Sequence, residues 1–240
     1  MARTRLLLTL LLCLVLPPPA PAADLPVRTF TARYDFTANR LLVARMERSL
    51  RAEGDGRYVF ESKSEAAGML SVLFSDNIGE SSLWDLADGR LRPLKYQYHH
   101  TGRKQAERHA VLDFDWKKGV VTNRINNDPW TMKVPTGALD KLLYQYALMR
   151  DLQAGRKTLS YDIADGGELK TYVFARMGSE SIATPLGRLQ AEKLQRIHGS
   201  RRTVIWCAAA LDYLPVRIEQ HKDGKVLTME LREVEGISIK

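Results

Sequence analysis

The chain has 240 residues, with 36 Lys and Arg against 28 Asp and Glu and a formal net charge of +8. Its bases are spread along the sequence in short pairs such as Lys117-Lys118 and Arg201-Arg202, without any nucleic-acid motif, so the charge reads as a solvated surface and no nucleic-acid partner is expected. Only two cysteines occur, Cys13 and Cys207, so a large core rather than disulfide staples must hold the fold.

Arg3 and Arg5 form a short positive segment, Leu6 to Leu16 an uncharged apolar run, and Pro17 to Pro19 a break before Ala20-Pro21-Ala22. That order predicts a secretory signal peptide over 1–22, cleaved after Ala22. The apolar run is little more than half of the about 20 residues that a membrane-spanning helix needs. Cys13 lies inside the run behind Leu12, where a lipoprotein signal wants Gly, Ala or Ser, so it leaves with the signal peptide. No later segment is long and apolar enough to span a membrane. The expected mature chain, 23–240, is a single β-rich domain in the periplasm. Its one thiol, Cys207, is flanked by Ile205, Trp206 and Ala208 to Ala210, which predicts burial; the alternative is an intermolecular handle.

From Thr29 the sequence alternates. Phe30, Ala32, Tyr34 and Phe36 share one phase, and Thr29, Thr31, Arg33 and Asp35 the other, which predicts a half-buried strand. Leu41 to Arg51 is a mixed stretch. Gly54-Asp55-Gly56 then marks a hairpin turn before Tyr58 and Phe60. A short helical turn is expected around Ala66 to Leu73. Further strands are expected at Ile78 to Leu86, Leu91 to Thr101, Gln105 to Asp115 and Val120 to Ile125, separated by Asp88-Gly89, Thr101-Gly102 and Lys117-Lys118-Gly119. Turn signals about a dozen residues apart indicate an antiparallel meander.

Asp140 to Gln153 departs from this pattern. Leu142, Leu143, Tyr146, Met149 and Leu152 fall near helical spacing, with Gly137 and Asp140 as the start and Gly155 as the stop. One substantial helix, at about 139–153, is expected to pack against or across the sheet. A second strand series follows: Lys157 to Ile163, Leu169 to Met177, Leu189 to Ile197, Thr203 to Cys207, Tyr213 to His221 and Lys225 to Glu233. Its turns are Asp165-Gly166-Gly167, Thr184-Pro185-Leu186-Gly187 and Lys222-Asp223-Gly224.

Groups able to carry chemistry are sparse. His99, His100 and His109 lack ligand spacing, since adjacent strand residues face opposite sides, so no metal is expected. Asp113 and Asp115 share one face of a strand and read as its wet side. Asn126-Asn127-Asp128-Pro129 reads as a turn, lacking the glycine and glutamate of a calcium loop. Cys207 has His198 nine residues before it, within reach across a hairpin, but its apolar flanks indicate an inert thiol. No catalytic residue and no cofactor are assigned. The aromatic residues are more informative. Tyr34, Phe36, Tyr58, Phe60, Trp84 and Trp206, all on expected strands, are the candidate lining of a cavity inside a curled sheet; the alternative is that they form its packed core.

The segment Thr203-Val204-Ile205-Trp206, followed by Leu211-Asp212-Tyr213-Leu214-Pro215-Val216-Arg217-Ile218-Glu219, resembles a bacterial family known as domain of unknown function 3108. An early Tyr-x-Phe strand (Tyr34 to Phe36), a central helix beginning near an aspartate (Asp140) and a tight turn (Thr184 to Gly187) extend the resemblance over most of 28–235. These motifs are structural rather than catalytic. The resemblance implies a periplasmic curled antiparallel sheet or barrel, loosely similar in shape to envelope carriers that hold acyl chains in a half-barrel under a helix.

Together these features predict a mainly β fold, a curled antiparallel sheet or β-barrel-like single domain with one helix. The expected role is a non-enzymatic periplasmic protein binding an apolar or amphipathic, lipid-like ligand. The alternatives are a protein–protein scaffold module with an envelope protein partner, and an enzyme of unrecognised type using Cys207 with His198.

Overall fold

Fifteen strands join in one sheet in a computed structural model that describes residues 26–68, 77–102, 107–126 and 128–239. The expected signal peptide, 1–22, and most of the expected helical turn at Ala66 to Leu73 lie outside the described residues. The first eight strands are β1 (Phe30–Ala38), β2 (Leu41–Gly54), β3 (Arg57–Ala66), β4 (Asn77–Ala87), β5 (Arg90–Thr101), β6 (Arg108–Asp115), β7 (Val120–Ile125) and β8 (Asp128–Lys133). After β9 (Leu139–Asp140) and the helix α1 (Leu143–Gln153) come β10 (Leu159–Asp165), β11 (Glu168–Thr184), β12 (Gly187–His198), β13 (Arg201–Ala208), β14 (Leu214–Lys222) and β15 (Lys225–Glu235).

The topology is two antiparallel meanders, β1 to β8 and β10 to β15, joined where β15 pairs antiparallel with β1. Arg33 on β1 fastens this junction by donating to Glu47 on β2 and to Glu233 and Glu235 on β15. Two-residue loops set the registers. Asn39-Arg40, Asp55-Gly56, Asp88-Gly89 and Asp223-Gly224 all have positive φ at both positions, the twist that hairpin turns require. Asn39-Arg40 has no glycine, which is why the sequence gives no clear break between β1 and β2. The Asn126 to Pro129 stretch, expected as a turn only, begins β8. Pro129 is tolerated there because β8 pairs on one side only, with β7, and ends the sheet.

The ladder does not close. Its ends are β8 and β9, and β9 is held by a short parallel pairing of Leu139 and Asp140 with Ile163 and Ala164 of β10. The sheet curls far enough that side chains bridge this gap. β9 lies against β5, and the buried Ser82 on β4 donates to Asp140 on β9 at 2.5 Å. Nearby, Trp130 of β8 covers the Gly166-Gly167 turn, where a Cβ at Gly167 would fall on the indole ring.

α1 lies within this curl. Its buried residues Leu143, Tyr146, Ala147, Leu148, Met149 and Leu152 point in all directions around the axis, and no residue of the helix is exposed. A helix covered on every side is a core element. It begins later than the sequence suggests, because 139–140 is taken by β9. Asp140 then accepts hydrogen bonds from the N–H groups of Leu142 and Leu143 at 2.8 and 2.7 Å, satisfying donors that the first turn leaves open. Gly155, at positive φ, ends it. No helix among the described residues is long and apolar enough to cross a membrane.

Candidate functional site

Strand pairing stacks the inward-facing residues of β1 to β6 into rungs. One rung runs Phe30, Leu50, Phe60, Ser82, Tyr96, Leu112. The next runs Ala32, Arg48, Ser62, Glu80, Tyr98, Ala110, and a third Tyr34, Met46, Ser64, Ile78, His100. The interior therefore changes character along the strands, from aromatic to polar.

At the aromatic end the helix fills the curl. Tyr146 places its ring 6.3 Å from Phe60 and 5.5 Å from Trp84, Phe30 meets Phe60 edge-on at 6.1 Å, and Tyr58 stacks on Trp84 at 4.7 Å. Three of the candidate lining residues, Tyr58, Phe60 and Trp84, are thus brought together as packing around α1. Trp206 is elsewhere. On β13 it faces away from Cys207, between its ladder neighbours Lys193 and Arg217, whose cationic groups sit 5.1 and 6.0 Å from the indole centroid. Its N–H donates to Glu180 at 2.5 Å. Alternation along β13 turns Trp206 outward and Cys207 inward, so charged side chains bury the indole on the outer face.

Tyr34 and Phe36, the remaining two candidates, belong to the polar end. Tyr34 is buried and Phe36 only partly so. Arg48 carries its guanidinium 5.6 Å from the centroid of the Tyr34 ring, and at 9% exposure it is a buried cation. Its Nε has no hydrogen-bond partner among the described residues, and neither has the Tyr34 hydroxyl. Glu80 is two strands away in the same rung, about 10 Å at the usual strand spacing, with the small Ser62 between them. Burial pushes the Glu80 carboxyl up, against the pull of Lys141 and Arg48.

The start of α1 reaches this end. Tyr144 meets Tyr172 of β11 edge-on at 5.3 Å, and the Arg196 guanidinium of β12 lies 3.7 Å from the centroid of the Tyr172 ring. Burial pushes the Tyr144 phenol up to about 12; Arg196 and Arg48 both work against that shift. Two inward arginines on opposite walls thus act on one hydroxyl at the helix start. Sequence patterning misses Arg48, Glu80, Tyr144 and Arg196. The available signal is phase: Arg48 keeps step with Met46 and Leu50, while Glu47 and Ser49 face out.

Two clefts flank the helix, and polar groups of the chain occupy both. One, of about 280 Å³, is lined by Phe30, Tyr146 and Met149 and crossed by an Arg28–Asp212 ion pair at 3.1 Å. The other, of about 220 Å³, contains Asp151, which accepts from the Tyr161 hydroxyl at 2.9 Å and pairs with Arg156 at 3.0 Å.

Cys207 is buried, and burial pushes its thiol well above the ordinary range, which works against the reactive thiolate. His198 does not approach it. His198 pairs with Arg201, six residues along β13 from Cys207, or about 20 Å. His99 and His109 face each other across β5 and β6, and His99 bonds Glu107 at 2.6 Å. Asp113 pairs with Arg124, and Asp115 pairs with Lys118. Among the described residues no three His, Cys, Asp or Glu side chains gather as a metal site.

The model of a family described as "Protein of unknown function (DUF3108)" matches residues 29–232. No curated protein matches the chain. A crystal structure of a beta-barrel-like protein of domain of unknown function DUF1849 from Brucella abortus is similar in fold, with a TM-score of 0.58 at 10% identity, covering 90% of this chain and 100% of that one. Rv2717c from M. tuberculosis aligns over 88% of this chain and 92% of its own at 9% identity, with a TM-score of only 0.21.

Proposed function

We propose, from the premise that this chain belongs to the DUF3108 family of proteins of unknown function, that it is an exported, non-enzymatic envelope protein that holds an apolar or amphipathic ligand in its curled sheet. Export rests on the charged, apolar and small-residue order of residues 1–22. One observation carries the ligand reading. At the polar end the apolar and aromatic side chains Phe36, Met46, Tyr98, Tyr144, Tyr172 and Ile218 are only partly buried against the core. Apolar surface turned toward the inside of a sheet and left partly uncovered is where an acyl chain gains most from leaving water. At the aromatic end α1 fills the curl, and the two clefts beside it are occupied by the Arg28–Asp212 and Asp151–Arg156 ion pairs, so the ligand is placed beyond the start of the helix.

Native mass spectrometry of protein purified gently from a bacterial periplasm, followed by lipid extraction, tests this. A stoichiometric adduct that extracts as lipid is expected. A clean apo mass that persists after incubation with lipid would remove the reading.

A second reading, a scaffold for an envelope protein partner, draws on the outer face. Leu169, Val173 and Met177 on β11 and Ile197 on β12 are exposed by 42 to 66%, a stripe that could dock another protein. A photocrosslinker at Val173 would give a discrete adduct in cells under this reading, and none if the stripe only meets water.

A further inference from the structure

We infer that Arg48 is the anchor for an anionic head group, so that the ligand is an amphiphile with a carboxylate or phosphate at one end, seated between Arg48 and Arg196 at the start of α1. This rests on the ligand-binding reading and gives it a chemical class.

A guanidinium has five N–H donors and remains charged at any pH a protein tolerates. Arg48 takes its charge into the sheet's interior against the face of Tyr34, with its Nε unpartnered and no direct ion pair to any described residue. Burying a cation on those terms is costly unless an anion meets it. Glu80 feels the charge of Arg48 but makes no direct ion pair with it, since Ser62 separates the two across the rung. Small or short inward residues, Ala32 and Ser62, flank Arg48 on both neighbouring strands. The orphaned Tyr34 hydroxyl adds a neutral donor, and Arg196 brings a second cation from the opposite wall. A carboxylate or phosphate matches planar guanidinium donors and hydroxyls together. Its tail would lie along Phe36, Met46 and Ile218, the partly covered apolar surface of the same end.

The test is a fluorescence titration of the delipidated protein with cis-parinaric acid and with its methyl ester, which has the same tail without the charge. The wild-type chain is expected to bind the acid about tenfold or more tightly than the ester, the scale of a charge-assisted hydrogen bond. Arg48→Met is expected to erase that preference, and Arg48→Lys to restore part of it. Displacement of the acid by palmitate or by lysophosphatidate then tells carboxylate from phosphate. Equal binding of acid and ester by the wild type, or an undiminished preference in Arg48→Met, would overturn the anchor and leave the ligand-binding reading standing. Binding of neither probe by the wild type would overturn both. The acid-to-ester comparison within the wild type decides the matter even if Arg48→Met folds poorly.

Discussion

The two ends of the curl are built from the same strands with the same alternation, yet they are finished differently. At the aromatic end Phe30, Phe60, Trp84 and Tyr146 meet ring to ring, with the helix residue Tyr146 packed on both Phe60 and Trp84. Two residues further along each strand, the inward positions become Arg48, Ser62, Glu80 and Tyr98. Orphaned polar atoms occur at both ends among the described residues, Trp84 Nε1 at the aromatic one and Arg48 Nε and the Tyr34 hydroxyl at the polar one, but only the polar end buries a cation. A core made only for stability would carry the aromatic packing through. The two ends thus differ in what they bury, rings at one and a cation at the other, and stability is expected to reside around α1.

The largest effect should come from opening the packed end. Trp84→Ala removes a fully buried ring that touches both Tyr58 and Tyr146, and a loss of about 3–5 kcal/mol in urea unfolding is expected. A loss below about 1 kcal/mol would mean that this end is not the stabilising one. Asp140 should come next. Asp140→Ala leaves Ser82 and two helix N–H groups without their acceptor, at roughly 2–4 kcal/mol.

Asp140→Asn keeps that geometry and isolates the charge. Burial pushes the Asp140 carboxyl up to about 6, despite the hydrogen bonds from Ser82, Leu143 and Leu142. An acid with a raised folded pKa lends stability that is whole below its ordinary pKa, near 4, and is lost as pH rises through about 6. The difference in stability between wild type and Asp140→Asn should therefore shift in favour of Asn across that window. Unfolding at pH 4 and pH 7 measures it, and parallel pH profiles would contradict the raised pKa.

Gly167→Ala should cost less, roughly 1–3 kcal/mol, since it strains a positive φ and pushes Trp130 from its seat beside the open seam. The smallest effect is expected for Arg48→Met. A buried cation without partners can be exchanged for an apolar chain of similar length at no loss, or with a gain, in stability. A fall of more than about 2 kcal/mol in the unfolding experiment would make Arg48 a structural residue and dissolve the contrast between the ends.

Much of this architecture is legible in the sequence because its rules are local. Alternation around Tyr34 and Phe36 and the Asp-Gly pairs at 55–56, 88–89 and 223–224 give strands and hairpins directly. The helix is legible from its spacing, but not its enclosure, since a helix near a sheet and one inside it share the same apolar positions. β9 escapes notice because two residues carry no periodicity. The site is hidden for a related reason. In Leu41 to Arg51 the inward Arg48 interrupts the apolar phase, so the strand that bears the proposed anchor reads as a mixed stretch. Trp206 shows the converse: an aromatic residue on a strand announces burial but not which face it is buried on.

The pairing of β1 with β15 also governs how the molecule can assemble. Apart from the short β9–β10 contact, every other ladder joins strands that are neighbours in sequence and can form as hairpins as the chain is made. The β1–β15 ladder instead bridges residues as far apart as Thr31 and Glu235, 204 positions. Its loop-closure cost falls on the last step of folding. Until β15 has been synthesised, β1 keeps one side of its backbone unpaired, the kind of strand edge that recruits other chains. β15, the last strand in chain order among the described residues, thus completes the middle of the sheet, and a chain lacking that one strand would be two half-sheets with a sticky margin on each.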